Sequence, residues 1–172
     1  MQLNVKIERG FFLFVILLLC SLLSFCTKGP PKPVTEVVSI SELINQEKNP
    51  RRVASLNWVD LGKRELDQSH FERAAQKFGK AIEIDPKNPL AYFYLALTRY
   101  RLQRWNESIE LFQRAFDLFS SEEGWKAETL AYQGEGFEKL GRLEDAKTKF
   151  EEALELDSNN LKAKEGLSRL IH

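Results

Sequence analysis

The side chains that most often carry out chemistry are few in this sequence. The two histidines, His70 and His172, are far apart and have no cysteine beside them. A zinc site or a Cys-His catalytic pair needs several such groups together, and phosphate binding typically needs a glycine-rich loop that is absent here. Carboxylates are numerous, but in stretches such as EEALELD they are interleaved with apolar residues, as on the solvent face of a helix. We therefore expect no enzyme activity, no cofactor, no metal and no small-molecule substrate.

His70 has a structural interpretation. It follows Ser69 in the stretch SHFE, where Ser69 and Glu72 have the spacing of a capping box. This spacing predicts that a helix begins here, with His70 in its first turn.

Composition narrows the class of partner. The chain has 172 residues, 43% of them hydrophobic, which is enough for one folded domain and a tail. Its 25 Lys and Arg residues balance 25 Asp and Glu residues, so no excess positive charge is available to attract a phosphate backbone. We expect no nucleic-acid partner.

The N-terminus has the pattern of a targeting segment. Lys6 and Arg9 precede an uncharged apolar stretch at residues 11–25, as in the basic and hydrophobic regions of a signal peptide. A helix of this length spans about 22 Å, less than the ~30 Å hydrocarbon core of a bilayer, so a signal peptide is favoured over a permanent span. The two basic residues predict that the rest of the chain crosses the membrane.

The apolar stretch ends in LLSFC, which resembles the lipobox of bacterial lipoproteins. In that family a signal peptidase cleaves before the cysteine, which is then lipidated. The resemblance implies a signal peptide at residues 1–25, lipid attachment at Cys26, and a membrane-anchored domain in the bacterial cell envelope, outside the cytoplasm. Phe25 stands where the lipobox usually has Gly, Ala or Ser, so an uncleaved anchor and ordinary secretion remain alternatives. The other cysteine, Cys20, is interpreted as an apolar residue of the signal peptide.

Residues 26–54 are predicted to form a Pro-rich linker with one short helix. The linker begins with TKGPPKP, which favours extended polyproline geometry. Ser39 and Glu42 have the spacing of a capping box, and Asn49-Pro50 predicts the end of the helix. Three apolar residues share one face: Ile40, Leu43 and Ile44. This face either packs on the domain that follows or binds another protein.

Beyond Arg52 the sequence repeats. Phe78 and Ala81 recur as Phe112 and Ala115 after 34 residues, and the pair appears again after a further 38. A 34-residue period is typical of tetratricopeptide repeats. The units are predicted at residues 55–88, 89–122 and 127–160, with 123–126 inserted before the third. Trp125, in the insertion, either extends the first helix of the third unit or anchors a partner.

The side chains within each unit resemble the tetratricopeptide signature. The first helix of the signature has an aromatic residue followed by a Leu-Gly pair. These positions are Trp58, Leu61 and Gly62 in the first unit, and Tyr92, Leu95 and Ala96 in the second. The third unit departs from the signature, with Leu130, Gln133 and Gly134. The second-helix small residue, aromatic and alanine correspond to Ala74, Phe78 and Ala81, then Ser108, Phe112 and Ala115, then Ala146, Phe150 and Ala153. The resemblance implies an all-α fold, an α-α superhelix or TPR solenoid of three helical hairpins. The last hairpin needs a cover for its apolar flank, and the amphipathic residues 161–172 predict a C-terminal capping helix, with Lys162, Lys164 and Arg169 mostly facing solvent.

The resemblance also implies a binding surface. In this family the concave face, lined by the first helix of each hairpin, receives an extended peptide or a partner helix. The predicted groove residues are Lys63, Phe93, Tyr94, Leu97, Tyr100, Arg101 and Tyr132. Aromatic residues with an arginine are typical of an interface centre, although packing in the core is the alternative for some of them. Val59, Tyr94 and Ala131 stand where co-chaperones of the family have a Lys/Asn/Arg carboxylate clamp, so we do not expect a receptor for chaperone tails.

Two functional hypotheses follow from the sequence. The first is a membrane-tethered scaffold or adaptor that binds a protein or peptide partner through its groove. The second is a structural accessory subunit of an envelope assembly machine, of the pilus or outer-membrane biogenesis type, held by the linker helix or the convex face.

Overall fold

The computed structural model describes residues 39–171, and the structural statements below refer to this part of the chain. The predicted signal peptide, the lipid-attachment site at Cys26 and the linker up to residue 38 lie outside it, as does His172. Within the described range the secondary structure consists of eight α-helices. They are α1 (Ile40–Gln46), α2 (Pro50–Asp67), α3 (Phe71–Ile84), α4 (Pro89–Arg101), α5 (Trp105–Leu118), α6 (Glu123–Lys139), α7 (Leu143–Leu156) and α8 (Leu161–Leu170).

The helices pack as three hairpins in series. Helix α2 pairs with α3, α4 with α5, and α6 with α7, while each hairpin also contacts the next. Helix α8 packs on α7 and α6, and α1 packs on α2. The predicted fold, an all-α superhelix of three hairpins with a C-terminal capping helix, is confirmed. None of the helices in residues 39–171 is long and apolar enough to cross a membrane.

Asparagine side chains start the first helix of two hairpins. Asn49 Oδ1 accepts a hydrogen bond from the Arg51 amide at 3.0 Å, and Asn88 Oδ1 accepts one from the Leu90 amide at 3.1 Å. A proline follows each asparagine, where its missing N–H costs nothing. The predicted role of Asn49-Pro50 as a helix stop is therefore corrected: α1 ends at Gln46, and Asn49-Pro50 begins α2, ahead of the predicted unit start at residue 55.

The predicted capping box at Ser69 is also corrected. Ser69 lies in the turn between α2 and α3 with a φ of 62°, and α3 begins at Phe71 without a side-chain cap. His70 is the N-cap residue of α3, so its predicted role at the start of a helix is confirmed. His70 Nδ1 lies 2.9 Å from Glu65 Oε2 at the end of α2.

The core depends on one large and one small residue facing each other in a hairpin. Phe78, Phe112 and Phe150 have no exposed surface. An added Cβ at Gly62 would lie 2.5 Å from the Phe78 ring, so glycine allows α2 and α3 to approach closely.

Buried hydrogen bonds join the first two repeats. Asn88 Nδ2 donates to Ser55 Oγ at 2.8 Å, and Ser55 Oγ donates to the Ala81 carbonyl at 2.8 Å.

Candidate partner-binding groove

The first helices of the hairpins, α2, α4 and α6, contact one another and form one face of the solenoid, which we call the groove. The predicted groove residues lie on these helices at different depths. Phe93 and Tyr94 are buried, Lys63, Leu97, Tyr100 and Tyr132 are half-buried, and Arg101 is exposed.

Phe93 belongs to the core of the domain. It is 3% exposed and its ring packs edge-on against Tyr94 at 5.4 Å, Phe112 at 5.5 Å and Trp125 at 5.1 Å between ring centroids. The prediction that Phe93 binds a partner is therefore corrected. Because the middle hairpin has neighbours on both sides, its aromatics fill the space between repeats.

Tyr94 forms the floor of the groove. It is 9% exposed and stacks on Phe78 with ring centroids 5.7 Å apart. Burial raises the pKa of Tyr94 to about 12, and the nearby Asp67 carboxylate acts in the same direction. Its hydroxyl therefore stays a neutral phenol at physiological pH.

Tyr100 and Tyr132 join the second and third repeats across the groove. Their ring centroids are 6.0 Å apart, and Tyr100 also packs against Trp105 at 5.0 Å. Burial raises the pKa of each tyrosine to about 12, with a further contribution from the charge of Glu135. The two rings therefore present neutral aromatic surface with polar edges, which is suited to contact with a peptide.

A cavity of about 290 Å³ lies at the C-terminal ends of α2 and α4. It is lined by Leu66, Asp67, Ser69, Phe71, Leu97 and Arg101. Two predicted groove residues, Leu97 and Arg101, thus share one depression with apolar side chains from the first repeat. The third predicted residue at this end, Lys63, forms an ion pair with Asp67 at 2.8 Å.

The capping helix contributes charge to the other side of the groove. Lys162 Nζ lies 4.1 Å from the Tyr132 ring centroid and 3.7 Å from Glu135 Oε1. Arg169 donates to both carboxylate oxygens of Glu138, at 3.0 and 2.8 Å. Lys162 is half-buried, so the prediction that it faces solvent is corrected, whereas Lys164 and Arg169 are exposed as predicted. Sequence spacing placed these cations on the polar side of α8, but their pairing depends on how α8 lies against α6.

The opposite end of the groove is bounded by α1. Ile40 is 6% exposed, and Leu43 and Ile44 pack against the core cluster of the first two repeats. The apolar face of α1 therefore packs on the domain, which was the first of the two predicted alternatives. A second cavity, of about 420 Å³, lies between α1 and the N-terminal ends of the groove helices. It includes Leu43, Leu56, Leu90 and Trp125.

Trp125 lies in the first turn of α6, so the inserted residues lengthen this helix. The indole stacks on Phe119 with ring centroids 5.9 Å apart and an interplanar angle of 8°. Its position is thus set by packing, and the predicted extension of the third unit is what the structure has.

Comparisons with known proteins agree with this geometry. Residues 89–159 match the family model described as Tetratricopeptide repeat, and residues 62–103 match the one described as TPR repeat. The chain contains tetratricopeptide repeats.

A relative of the TPR domain among characterised proteins is the Protein CTR9 homolog of Arabidopsis thaliana. It is 30% identical over 106 residues, which is 62% of this chain and 9% of that protein. The chain thus spans about a tenth of the length of this relative.

Solved TPR structures share the fold. The N-terminal domain of stress-induced protein-1 from C. elegans has a TM-score of 0.65 at 23% identity, covering 73% of this chain and all (100%) of that one. The second TPR domain of human RPAP3 was solved in complex with the HSP70 peptide SGPTIEEVD. It has a TM-score of 0.64 at 24% identity, covering 71% of this chain and 98% of the RPAP3 domain.

The TPR groove of this chain has no cationic or amide side chain at the clamp positions considered above. Val59 and Ala131 have no exposed surface, and Tyr94 forms the floor. A free carboxylate would find no donor from Val59 or Ala131.

Within residues 39–171 no group of three or more His, Cys, Asp or Glu side chains is placed to hold a metal ion.

Proposed function

We propose that the TPR domain is a scaffold that holds a segment of a protein partner in its groove. The observation that carries the proposal is the group Leu97, Tyr100, Arg101 and Tyr132, which leaves aromatic, aliphatic and cationic surface accessible beside a cavity of about 290 Å³. Binding energy at protein interfaces is concentrated in a few residues, among which tyrosine and arginine are enriched. The human RPAP3 domain, of the same fold, was solved in complex with a peptide, which supports peptide binding by a domain of this kind.

The groove is tested by site-specific photo-crosslinking in cells. A photoreactive phenylalanine analogue at position 100 should yield one dominant crosslinked protein, identified by mass spectrometry. Leu97→Ala combined with Arg101→Ala should abolish co-purification of that protein and leave the helical circular-dichroism signal unchanged. The matched control is Leu143→Ala, since Leu143 is 51% exposed on an outer helix.

We further propose that the chain is a bacterial envelope lipoprotein tethered through Cys26, with the TPR domain outside the cytoplasm. The support is the lipobox-like LLSFC after a basic and apolar segment. Cys26→Ser should remove the incorporation of labelled palmitate and release the chain from the membrane fraction, whereas Cys20→Ser should change neither. Palmitate labelling that persists in Cys26→Ser would contradict the tether.

The second candidate, an accessory subunit of an envelope assembly machine, now depends on the outer face. Its other support was the linker helix, but Ile40 is buried within the domain. Loss of partner capture in Leu143→Ala, with groove variants unaffected, would favour this candidate over the scaffold.

A further inference from the structure

Four acidic side chains of the groove helices are already paired with basic side chains of the domain. Asp60 pairs with Arg64 at 2.7 Å and Asp67 with Lys63 at 2.8 Å. In the third repeat Glu135 faces Lys162 at 3.7 Å, and Glu138 pairs with Arg169 at 2.8 Å. A basic peptide would have to displace a Lys or Arg side chain of the domain before it could form an ion pair with one of these carboxylates.

Arg101 differs from these residues. It is exposed at the C-terminal end of α4, and within residues 39–171 its guanidinium forms no ion pair. It lines the cavity at the C-terminal ends of α2 and α4, beside Leu97. Arg101 is therefore the groove cation whose hydrogen-bonding capacity is open to a partner, and a guanidinium binds a carboxylate through two parallel bonds.

The cavity beside Arg101 indicates which side chain of the partner lies next to the carboxylate that Arg101 binds. Leu66, Phe71 and Leu97 line one part of it and Asp67, Ser69 and Arg101 the rest, and its volume of about 290 Å³ admits a large side chain that packs on the three apolar residues. An apolar side chain in contact with these residues is removed from water, which favours binding. Arg101 and the three apolar side chains line the same cavity, so neighbouring residues of one peptide can reach both, and the Asp67 carboxylate in that lining is already paired with Lys63 at 2.8 Å.

We infer that the groove recognises an internal peptide segment in which Asp or Glu lies beside a large aliphatic or aromatic residue. The carboxylate binds the Arg101 guanidinium, and the apolar side chain enters the cavity next to it. This inference rests on the proposed function and specifies the chemistry of its partner. Recognition of this kind needs no free C-terminus, in keeping with the apolar residues at Val59 and Ala131.

The test uses the full chain, purified in detergent, and random peptides displayed on phage as N-terminal fusions, so that no peptide carries a free C-terminus. Selection should enrich Asp or Glu next to Leu, Ile or Phe. A selected peptide, synthesised with a fluorescent label and an amidated C-terminus, should bind about tenfold more weakly to Arg101→Gln, because a hydrogen bond to a charged group is lost. Selection on Arg101→Glu should favour Lys and Arg instead.

The matched control is Arg73→Gln, because Arg73 is exposed on α3, outside the groove. Enrichment of basic or uncharged peptides, recovery of no binding sequence, or equal affinity of Arg101→Gln and the unaltered chain would overturn the inference. Enrichment of basic peptides would point to Asp67 as the recognition group. If Leu97→Ala alone still abolishes capture of the crosslinked partner while Arg101→Gln does not, the groove function stands and the acidic specificity falls.

Discussion

Gly62 shows how strictly single positions are constrained in this solenoid. An added Cβ would lie 2.5 Å from the Phe78 ring, whereas an added Cβ at Gly79 would meet nothing within 4 Å. Both glycines lie within helices, where alanine is intrinsically favoured. Only the packing partner differs between the two positions.

Gly62→Ala should therefore lower the free energy of unfolding by about 1–3 kcal/mol, the usual effect of overpacking. Gly79→Ala should raise it by about 0.5–1 kcal/mol through helix propensity. Urea denaturation followed by circular dichroism measures both values. Equal effects of the two substitutions would show that the Phe78 contact is not limiting.

Gln133 is a buried polar residue with an incomplete set of hydrogen bonds. Its Nε2 donates to the Ile109 carbonyl and to Gln113 Oε1, both at 3.2 Å, while its Oε1 is buried without a partner in the described structure. Leucine occupies the matching position in the first two repeats, as Leu61 and Leu95.

Gln133→Leu should stabilise the domain by about 1 kcal/mol, because an unsatisfied buried acceptor costs about 1–3 kcal/mol and some of the existing bonds are lost. Thermal denaturation should show a higher midpoint for this variant. Gln113→Ala, which removes one partner of Gln133, serves as the control and should lower the midpoint. A lower midpoint in Gln133→Leu would mean that the two existing bonds outweigh the orphaned oxygen.

At the scale of elements, α8 both covers the last hairpin and closes one side of the groove. Ala163 and Gly166 of α8 are buried against the third repeat, and Arg169 reaches Glu138 on α6. The hydrogen bond from Arg169 lowers the pKa of Glu138 below its usual 4.5, and partial burial opposes this shift. The contribution of this pair to stability is therefore complete above pH 4.5 and is lost as the pH falls through the lowered pKa.

Glu138→Gln should therefore reduce stability at pH 7 and have a smaller effect at an acidic pH below the lowered pKa of Glu138, where both chains carry a neutral group. The Arg169 side chain is 44% exposed, so solvent screening keeps the effect below about 1 kcal/mol. Denaturation midpoints at the two pH values measure the difference. The control is Glu144→Gln, at an exposed site in the first turn of α7. Its effect on stability should not change with pH in the same way, because that change arises from the pairing of Glu138 with Arg169.

At the scale of the whole molecule, the apolar core of residues 39–171 is divided into two clusters. The larger extends from Ile40 through the first two repeats to Phe119, and the smaller joins Leu130, Phe150 and Ala163 of the third repeat and α8. In a solenoid each repeat is stabilised mainly by its neighbours, so damage to one end is expected to stay local.

A matched pair of substitutions tests this arrangement. Gly62→Ala places a Cβ against Phe78 in the larger cluster, and Gly166→Ala places one 2.3 Å from Phe150 in the smaller. Amide hydrogen exchange should rise by about tenfold in α2 and α3 for the first variant, and in α7 and α8 for the second, since each 1.4 kcal/mol changes the open population tenfold. Uniform acceleration in both variants would indicate a single cooperative unit.

The helical hairpins could be predicted from the sequence because each signature residue contacts its own or the adjacent repeat. The spacing of Phe78, Phe112 and Phe150 carries that information directly. The groove was predicted less well, since helix periodicity assigns Phe93 and Tyr100 to one side of α4 but does not give their depth. Phe93 is buried by Trp125 and Phe112, which belong to other helices.

The sequence by itself determined the fold class, the three hairpins and the need for a capping helix, because these follow from local spacing and from an apolar flank that must be covered. Only the tertiary structure decided which groove side chains a partner can reach. Depth, ion pairing and the cavity at Arg101 all depend on how separate helices cross. The pairing of Lys162 and Arg169 with Glu135 and Glu138 is the clearest case, since the angle of α8 against α6 determines which charges of the groove are left for a partner.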